Sequence, residues 1–204
     1  MRVVLSIESG PHPGIAELAQ DIARAMPSAL VVHPPTAAAT AAELDRGACT
    51  SSRLALAISR IQANCAAIAR CPPPAVAHAN DGVQIVVCTD GFFPDALFVD
   101  DAVDTVTLAQ LHATYGRRAA IDLHVCVVLD LSVAEMHEHA VRSAMWPQCS
   151  VSDLEDLPLR FATVARKYPV TADTRVVVVT PSPHFEDCDV DRTATVRAVL
   201  HRIK

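Results

Sequence analysis

The sequence predicts a three-layer α/β domain built on a five-stranded parallel sheet. Short, continuous apolar runs alternate along the chain with longer stretches of helical periodicity. Strands that are apolar throughout indicate a sheet covered on both faces, which is typical of parallel sheets crossed by helices. The 204 residues suffice to bury about 70% of the surface of the unfolded chain in one core. We therefore expect a single domain over residues 1–204.

The first half of the chain contains three predicted strands and two long helices. Arg2–Ile7 and Ala29–His33 are apolar runs of strand length, and between them Gly14–Met26 has amphipathic helical periodicity. Ser52–Arg70 is a second helix with its larger apolar residues on one side, and three consecutive prolines end it. Val83–Cys88 is the third strand. The alanine-rich residues 34–52 are expected to form a mobile connection.

The second half continues the alternation with two strands and four helices. Ser132 and Glu135 have the spacing of a capping box, which predicts that a helix begins there. Residues 152–167 have one continuous helical pattern and are predicted to form one helix. The predicted strands are Leu123–Leu129 and Arg175–Val179, and the predicted helices are Val106–Tyr115, Ser132–Ala144, Ser152–Lys167 and Asp191–Ile203.

Composition excludes several classes of protein. No uncharged apolar run approaches the ~18 residues that span a bilayer, and the opening MRVVLSIESG lacks the long apolar stretch of a signal peptide. A net charge of −6 without any block of Lys or Arg argues against nucleic-acid binding. The seven cysteines contain no C-x-x-C pair and are expected to be reduced and buried. We expect an intracellular, cytoplasmic protein without membrane or nucleic-acid partners.

A turn rich in glycine and proline follows the first predicted strand, at the edge where a doubly wound sheet binds its ligands. A phosphate-binding P-loop would read G-x-x-x-x-G-K-[ST] there, in which backbone N–H groups wrap the phosphates, Lys neutralises them and the hydroxyl holds Mg²⁺. With Gly14 as the second glycine, Ile15 and Ala16 stand at the Lys and Ser/Thr positions. An ordinary strand-to-helix turn is the alternative interpretation. The candidate loop residues are Ser9, Gly10, Pro11, His12, Pro13, Gly14, Ile15 and Ala16.

The order and spacing of several segments resemble thymidylate kinase, a P-loop nucleoside and nucleotide kinase, over most of the chain. RVVLSIESGPHPGIAEL resembles that family's first strand and P-loop, including the acidic residue after the strand, Glu8. RLALAISRIQANCAAI resembles its base-binding helix. GVQIVVCTDGFFPDALF resembles the third strand with its Asp-Arg-Tyr signature. IDLHVCVVLDLSVAEMHEHAVR resembles the fourth strand and the helix leading to the lid, and RVVVVTPSP the closing strand. The resemblance implies a nucleotide-kinase fold and a homodimer built through helices that flank the sheet.

Most positions to which the resemblance gives a function have lost the family's residue. In the base-binding helix, Ile58 stands at the stacking Phe and Gln62 near the base-reading Arg. After the third strand, Asp90 matches the family's Asp, but Gly91 replaces the Arg and Phe92 the Tyr.

The segment that corresponds to the family's lid, residues 140–151, offers one basic residue, Arg142. Trp146, in the same segment, suits either a partner interface or a packed anchor. Losing one preorganised donor typically costs ~10²–10³ in rate, and here several cations are missing. We therefore expect a catalytically inactive thymidylate-kinase-like protein, retained for protein interaction or for structure. No cofactor or metal is expected, and a homodimer or another protein partner is expected through the sheet-flanking helices.

Two alternatives stay open. An active dTMP kinase with an atypical phosphate site would use ATP and Mg²⁺, with Asp90 as its catalytic residue and cations from 117–118 or 166–167. A small-molecule binding protein would use an apolar cleft beside Ile15, Ile58 and Phe92. Arg53 and Arg60 lie seven residues apart on one face of the predicted helix and could reach an anion. An exposed face paired with acids is the favoured interpretation.

Overall fold

The computed structural model describes residues 1–10, 12, 14–26, 29–33, 50–72, 83–89, 91–98, 102–142, 151–183, 185 and 188–203. Within these residues, five parallel strands form one sheet in the order β2-β3-β1-β4-β5. This confirms the predicted fold class, and each predicted strand is present. The strands are β1 Arg2–Glu8, β2 Leu30–Val32, β3 Gln84–Cys88, β4 Leu123–Leu129 and β5 Thr174–Val179.

Helices cover both faces of the sheet. The first and last helices contact each other as well as strands of the sheet, and they form one outer layer. The remaining long helices form the other layer, in which α2 and α6 both contact a short 3-10 turn, Asp95–Phe98. The described helices are α1 Ile15–Ala25, α2 Thr50–Ala69, α3 Ala102–Arg118, α4 Val133–Arg142, α5 Val151–Glu155, α6 Leu157–Lys167 and α7 Asp189–Ile203.

The prediction of one helix over residues 152–167 is wrong. The structure has two helices there, α5 and α6, separated by a turn at Asp156. Pro158 lies in the first turn of α6, where backbone N–H groups make no hydrogen bond within the helix. The N–H group that proline lacks is therefore not needed at this position. In a continuous helix the same residue would leave the carbonyl of Leu154 without its donor, so the helix restarts instead.

The predicted capping box at the start of α4 is confirmed. The backbone N–H of Glu135 donates to Ser132 Oγ at 3.3 Å, and the backbone N–H of Ser132 donates to Glu135 Oε2 at 3.3 Å. Two donors at the helix start, which have no partner within the helix, are thereby satisfied.

A buried arginine holds the amino ends of the central strands together. Arg2 is 7% exposed, and its Nε donates to Gln84 Oε1 at 2.8 Å while its Nη1 donates to the carbonyl of Ala119 at 2.7 Å. Its backbone N–H donates to Asp122 Oδ2 at 2.6 Å. Hydrogen bonds from its guanidinium to these oxygens offset part of the cost of burying its charge. The opposite, carboxyl edge of the sheet is where the candidate site lies.

Most of the predicted mobile connection, residues 34–49, lies outside the described residues, as do residues 143–150 of the lid-equivalent segment. Within the described part of the chain, no helix is long and apolar enough to cross a membrane. The cysteines described there are free thiols: Cys65, Cys71, Cys88, Cys126 and Cys188.

Candidate functional site

β1 ends at the carboxyl edge of the sheet in a fully buried acid, Glu8. Its Oε1 accepts the backbone N–H of Phe92 at 2.7 Å, and its Oε2 accepts that of Phe93 at 3.3 Å. Ser6 Oγ donates to Oε1 at 3.0 Å. Three hydrogen-bond donors therefore take the place of the water molecules that would solvate an exposed carboxylate. They also tie the end of β1 to the loop that follows β3.

Gly91 is the residue that makes room for this carboxylate. A Cβ atom built on Gly91 would overlap Glu8 Oε2. Asn64 of α2 holds the same segment from the other side, because its Nδ2 donates to the carbonyl of Gly91 at 3.1 Å. The position that the sequence resemblance assigns to an arginine therefore has no space for any side chain while Glu8 is in place.

Two buried histidines continue this polar cluster into the core. His124 Nε2 lies 2.9 Å from Ser6 Oγ, and because Ser6 donates to Glu8, we assign Nε2–H of His124 as the donor to Ser6. Its ring meets Phe92 edge-on, with centroids 5.2 Å apart, and His112 stacks on Phe93 at 5.3 Å. Burial lowers the pKa of each histidine to about 3. Both are therefore neutral at pH 7.

The combination of Glu8, Ser6 and His124 contains the residue types of a hydrolase triad, but its hydrogen bonds run in the wrong direction. A nucleophilic serine gives its proton to the histidine, whereas Ser6 gives its proton to the acid. All three side chains are also fully buried, so no substrate reaches the hydroxyl. We assign the cluster a structural role.

The described residues of the loop between β1 and α1 contact side chains of the protein itself. The backbone N–H of Gly14 donates to His12 Nδ1 at 3.1 Å, and the His12 ring stacks on Phe185 at 4.6 Å. Gly10 lies so close to Met136 of α4 that a Cβ atom there would overlap its Sδ atom. Pro11 and Pro13 lie outside the described residues.

The first turn of α1 contains Ile15 and Ala16, which are both half-buried. Ile15 packs against the hydrophobic core, and no side chain at either position carries a charge. Gly14 stands at the N-cap without a side-chain cap.

The predicted substrate-pocket residues lie on α2 and in the segment after β3, which the Asn64–Gly91 hydrogen bond joins. Phe92 is buried in the core at 1% exposure. Ile58 is half-buried on α2, and Gln62 is exposed, with its Nε2 donating to the Tyr115 hydroxyl of α3. Asp90 lies outside the described residues.

The lid-equivalent residues are described only in part. Trp146 lies outside the described residues, and Arg142 is described as the last residue of α4 by its backbone only. The expectation that Arg60 lies on an exposed face is wrong, because Arg60 is 2% exposed and lies one helical turn before Asn64.

Sequence reasoning noted Glu8 as the acid after the first strand but missed its partners. Asn64 carried no local signal, because a polar residue inside a helix is ordinary. His124 did carry one, since it is the polar residue in the apolar strand LHVCVVL. A polar side chain inside a buried strand needs a hydrogen-bonding partner, and that requirement pointed to a polar cluster without identifying its members.

A surface groove of about 350 Å³ lies between α6 and the 3-10 turn, and the ring of its lining residue Tyr168 lies 6.2 Å from that of His112. We call it the α6 groove. It is not the apolar cleft expected beside Ile15, Ile58 and Phe92, because none of those residues lines it. Its lining residues are Ala96, Leu97, Asp156, Leu159, Arg160, Thr163, Val164, Lys167 and Tyr168.

The sheet order and the helical layers define the class of protein as P-loop nucleoside kinase-like in fold. Two solved structures show the likeness: deoxyadenosine kinase from M. mycoides with bound dCTP, at a TM-score of 0.59, and with bound dATP, at a TM-score of 0.56. Each is 11% identical to this chain and covers 100% of it, and the chain covers 98% and 99% of the two structures. Identity at this level shows the fold alone. No family model and no curated protein matches the sequence.

Proposed function

We propose that this protein has the fold of a nucleoside kinase without its phosphoryl-transfer activity, and that it acts through contacts with other proteins. The observation that carries the proposal is the lack of room for a side chain at Gly91, where the family resemblance expects an arginine. Phosphoryl transfer depends on positioning and on cations that neutralise the transferring group. At this edge of the sheet, an acid fills the space next to the position where the family resemblance expects an arginine.

The loop after β1 supports the same proposal. In that loop, the backbone N–H of Gly14 donates to Nδ1 of His12. This donor is therefore not available to a phosphate. Ile15 and Ala16 offer neither a cation nor a Mg²⁺-binding hydroxyl. The net charge of −6 adds long-range repulsion of a polyphosphate. Each lost donor typically removes ~10²–10³ in rate, so the expected activity is negligible.

A coupled assay for ADP release, with ATP–Mg²⁺ and with deoxyadenosine, deoxycytidine or dTMP as acceptor, tests the proposal directly. We expect no turnover above that of a sample without protein, and the M. mycoides deoxyadenosine kinase provides the positive control. Thermal unfolding with the same ligands is the second readout. A ligand at 100 times its Kd adds ~2.7 kcal/mol, which is roughly 5–10 °C in Tm for a chain of this size.

Turnover with any acceptor would reject the proposal in favour of an active kinase with an atypical phosphate site. A Tm rise of several degrees without turnover would instead indicate that the pocket still binds a nucleoside or nucleotide.

For the protein contact, we propose that α2 and α3 form the interface of a homodimer. These helices pack against each other, and the exposed side chains described on α2 before Arg70 are uncharged: Ala55, Gln62, Ala66 and Ala69. Val106 of α3 is 59% exposed. Two copies of a chain with net charge −6 repel each other, and the uncharged exposed side chains of α2 add nothing to that repulsion. Small side chains also allow two helices to approach closely.

A further inference from the structure

β5 is the edge strand of the sheet beside β4, and its sequence does little to prevent pairing with another chain. Natural proteins protect such edges with lysine, proline or bulges, since unpaired backbone groups there can bind a further strand. β5 reads TRVVVV, in which five of the six residues are β-branched and neither lysine nor proline occurs. β-branched residues favour an extended backbone, so this edge is suited to accept a strand.

The hydrogen bonds of β5 show which of its backbone groups face outward. The carbonyls of Asp173 and Val179 accept N–H groups of β4 and of the residue after it, at 3.0 and 2.9 Å. In a parallel ladder, every second residue of a strand bonds to the same neighbour, so the odd-numbered residues of 173–179 face β4. The N–H and C=O groups of Val176 and Val178 therefore point away from the sheet.

This outward edge is accessible. Val178 is 42% exposed, and Arg175 is exposed as well. The two helices that pack on β5 also contact elements further inside the fold, since α6 contacts β4 and α7 contacts α1. Neither helix therefore lies wholly beyond the edge, and a second strand can approach β5 from the side.

The sequence around β5 is nearly the same in both directions, which selects a second copy of this chain as the occupant. Two identical edges that meet about a two-fold axis run antiparallel. With the axis at Val177, the facing pairs are Thr174 with Thr180, Arg175 with Val179, Val176 with Val178, and Val177 with its own copy. No pair brings like charges together, and Thr–Thr pairs across strands are favourable. In this register the outward-facing residues of the two copies oppose each other, as the hydrogen-bonded pairs of an antiparallel ladder require.

We propose that two copies of this chain pair through β5 and join their sheets into one continuous sheet, with five strands from each copy. The contact is weak, because each backbone hydrogen bond replaces one with water and association costs entropy. It therefore joins α2–α3 dimers only at concentrations above those of gel filtration. The inference concerns a different surface from the α2–α3 face and does not depend on the loss of kinase activity.

Cysteine cross-linking tests the register on the full-length protein. At a non-hydrogen-bonded antiparallel pair the Cα atoms lie about 4.5 Å apart, a distance that a disulfide can bridge. We expect Val177→Cys, oxidised in air with copper phenanthroline, to form a covalent dimer about 10-fold faster or more than Val176→Cys. Val176 is the matched control, because it is also half-buried but lies diagonal to its own copy, beyond disulfide reach. The unchanged protein gives the background of the native thiols, and mass spectrometry locates the bond.

A second pair of variants tests whether backbone hydrogen bonds hold the contact. Val178→Pro removes an outward-facing N–H group without removing a hydrogen bond to β4. Val178→Thr keeps that N–H group and the β-branched shape. We expect Val178→Pro, added to Val177→Cys, to slow cross-linking about 10-fold or more, and Val178→Thr to slow it less than about 3-fold.

Three outcomes would overturn the proposal. The first is an equal rate of cross-linking for Val177→Cys and Val176→Cys, including no cross-linking by either. The second is a disulfide that joins position 177 to a native cysteine instead of to position 177 of another copy. The third is cross-linking that Val178→Pro and Val178→Thr affect equally. Circular dichroism identifies any misfolded variant, and the comparison of positions 176 and 177 decides the proposal if Val178→Pro does not fold. Because no nucleotide enters the experiment, its failure is distinct from the appearance of kinase activity.

Discussion

At the scale of single residues, one contact organises the carboxyl edge of the sheet. Glu8 lies at the end of β1 and is separated by 84 positions from Phe92, whose N–H group it accepts. That contact requires Gly91 to lack a side chain. By accepting the backbone N–H groups of Phe92 and Phe93, Glu8 stabilises the loop. The same N–H groups are then not available to a ligand. The buried position of the Glu8 carboxylate and the absence of a side chain at residue 91 are thus coupled.

Gly91→Ala tests this coupling by its effect on stability. The added methyl group overlaps the Glu8 carboxylate, so we expect a loss of about 1–3 kcal/mol, as is typical of overpacking. Glu8→Ala leaves the donors of Phe92, Phe93 and Ser6 without their acceptor, at a cost of about 1–3 kcal/mol or more. In the double variant the methyl group enters the space that Glu8 has vacated.

We therefore expect the loss of stability in the double variant to be smaller than the sum of the two single losses by about 1 kcal/mol or more. A difference of this size is within the range of coupling between residues in contact. Urea unfolding of the four proteins measures this. Strict additivity of the two losses would mean that Glu8 does not fill the space beside Gly91.

At the scale of secondary-structure elements, the sequence was informative wherever the signal was local. Apolar runs located the five strands, and the Ser132–Glu135 spacing located the start of α4. Pro158 is a local signal as well, because its missing N–H group favours the start of a helix, and the prediction of one helix over 152–167 overlooks it. The Glu8–Gly91 and Asn64–Gly91 contacts join distant segments, and no local pattern encodes which segments of a sheet edge will meet.

The proposed α2–α3 homodimer makes a prediction at this same scale. Ala66→Glu introduces a charge on the exposed side of α2, and a two-fold interface would bring it close to its own copy. We expect the variant to be monomeric where the unchanged protein is dimeric, as measured by light scattering after gel filtration. Ala194→Glu introduces the same charge on α7, in the other helical layer, and should leave the dimer intact. A monomeric unchanged protein, or equal dissociation by both variants, would reject this interface.

At the scale of the whole molecule, the buried histidines link folding to pH. His112 and His124 have a pKa of about 3 in the folded protein because of burial, compared with ~6.5 in an unfolded chain. The unfolded chain therefore binds more protons between pH 6.5 and 3, so that protonation favours unfolding. The stability that the folded protein gains from its neutral histidines is fully present above pH 6.5. It is lost progressively as the pH falls toward 3. Each histidine should lower the free energy of unfolding by roughly 2 kcal/mol between pH 7.5 and pH 5.0.

We thus expect the free energy of unfolding, measured by urea titration, to be about 4 kcal/mol lower at pH 5.0 than at pH 7.5. Carboxylates that are hydrogen-bonded in the folded protein change stability in the same direction, so the histidine contribution needs its own variant. In His112→Phe a ring of similar shape keeps the stack on Phe93 and cannot be protonated. This variant should retain about half of the pH dependence, whatever its stability at pH 7.5. A pH dependence that His112→Phe leaves unchanged would show that the folded protein accommodates a protonated His112, and that burial does not hold this histidine in its neutral form.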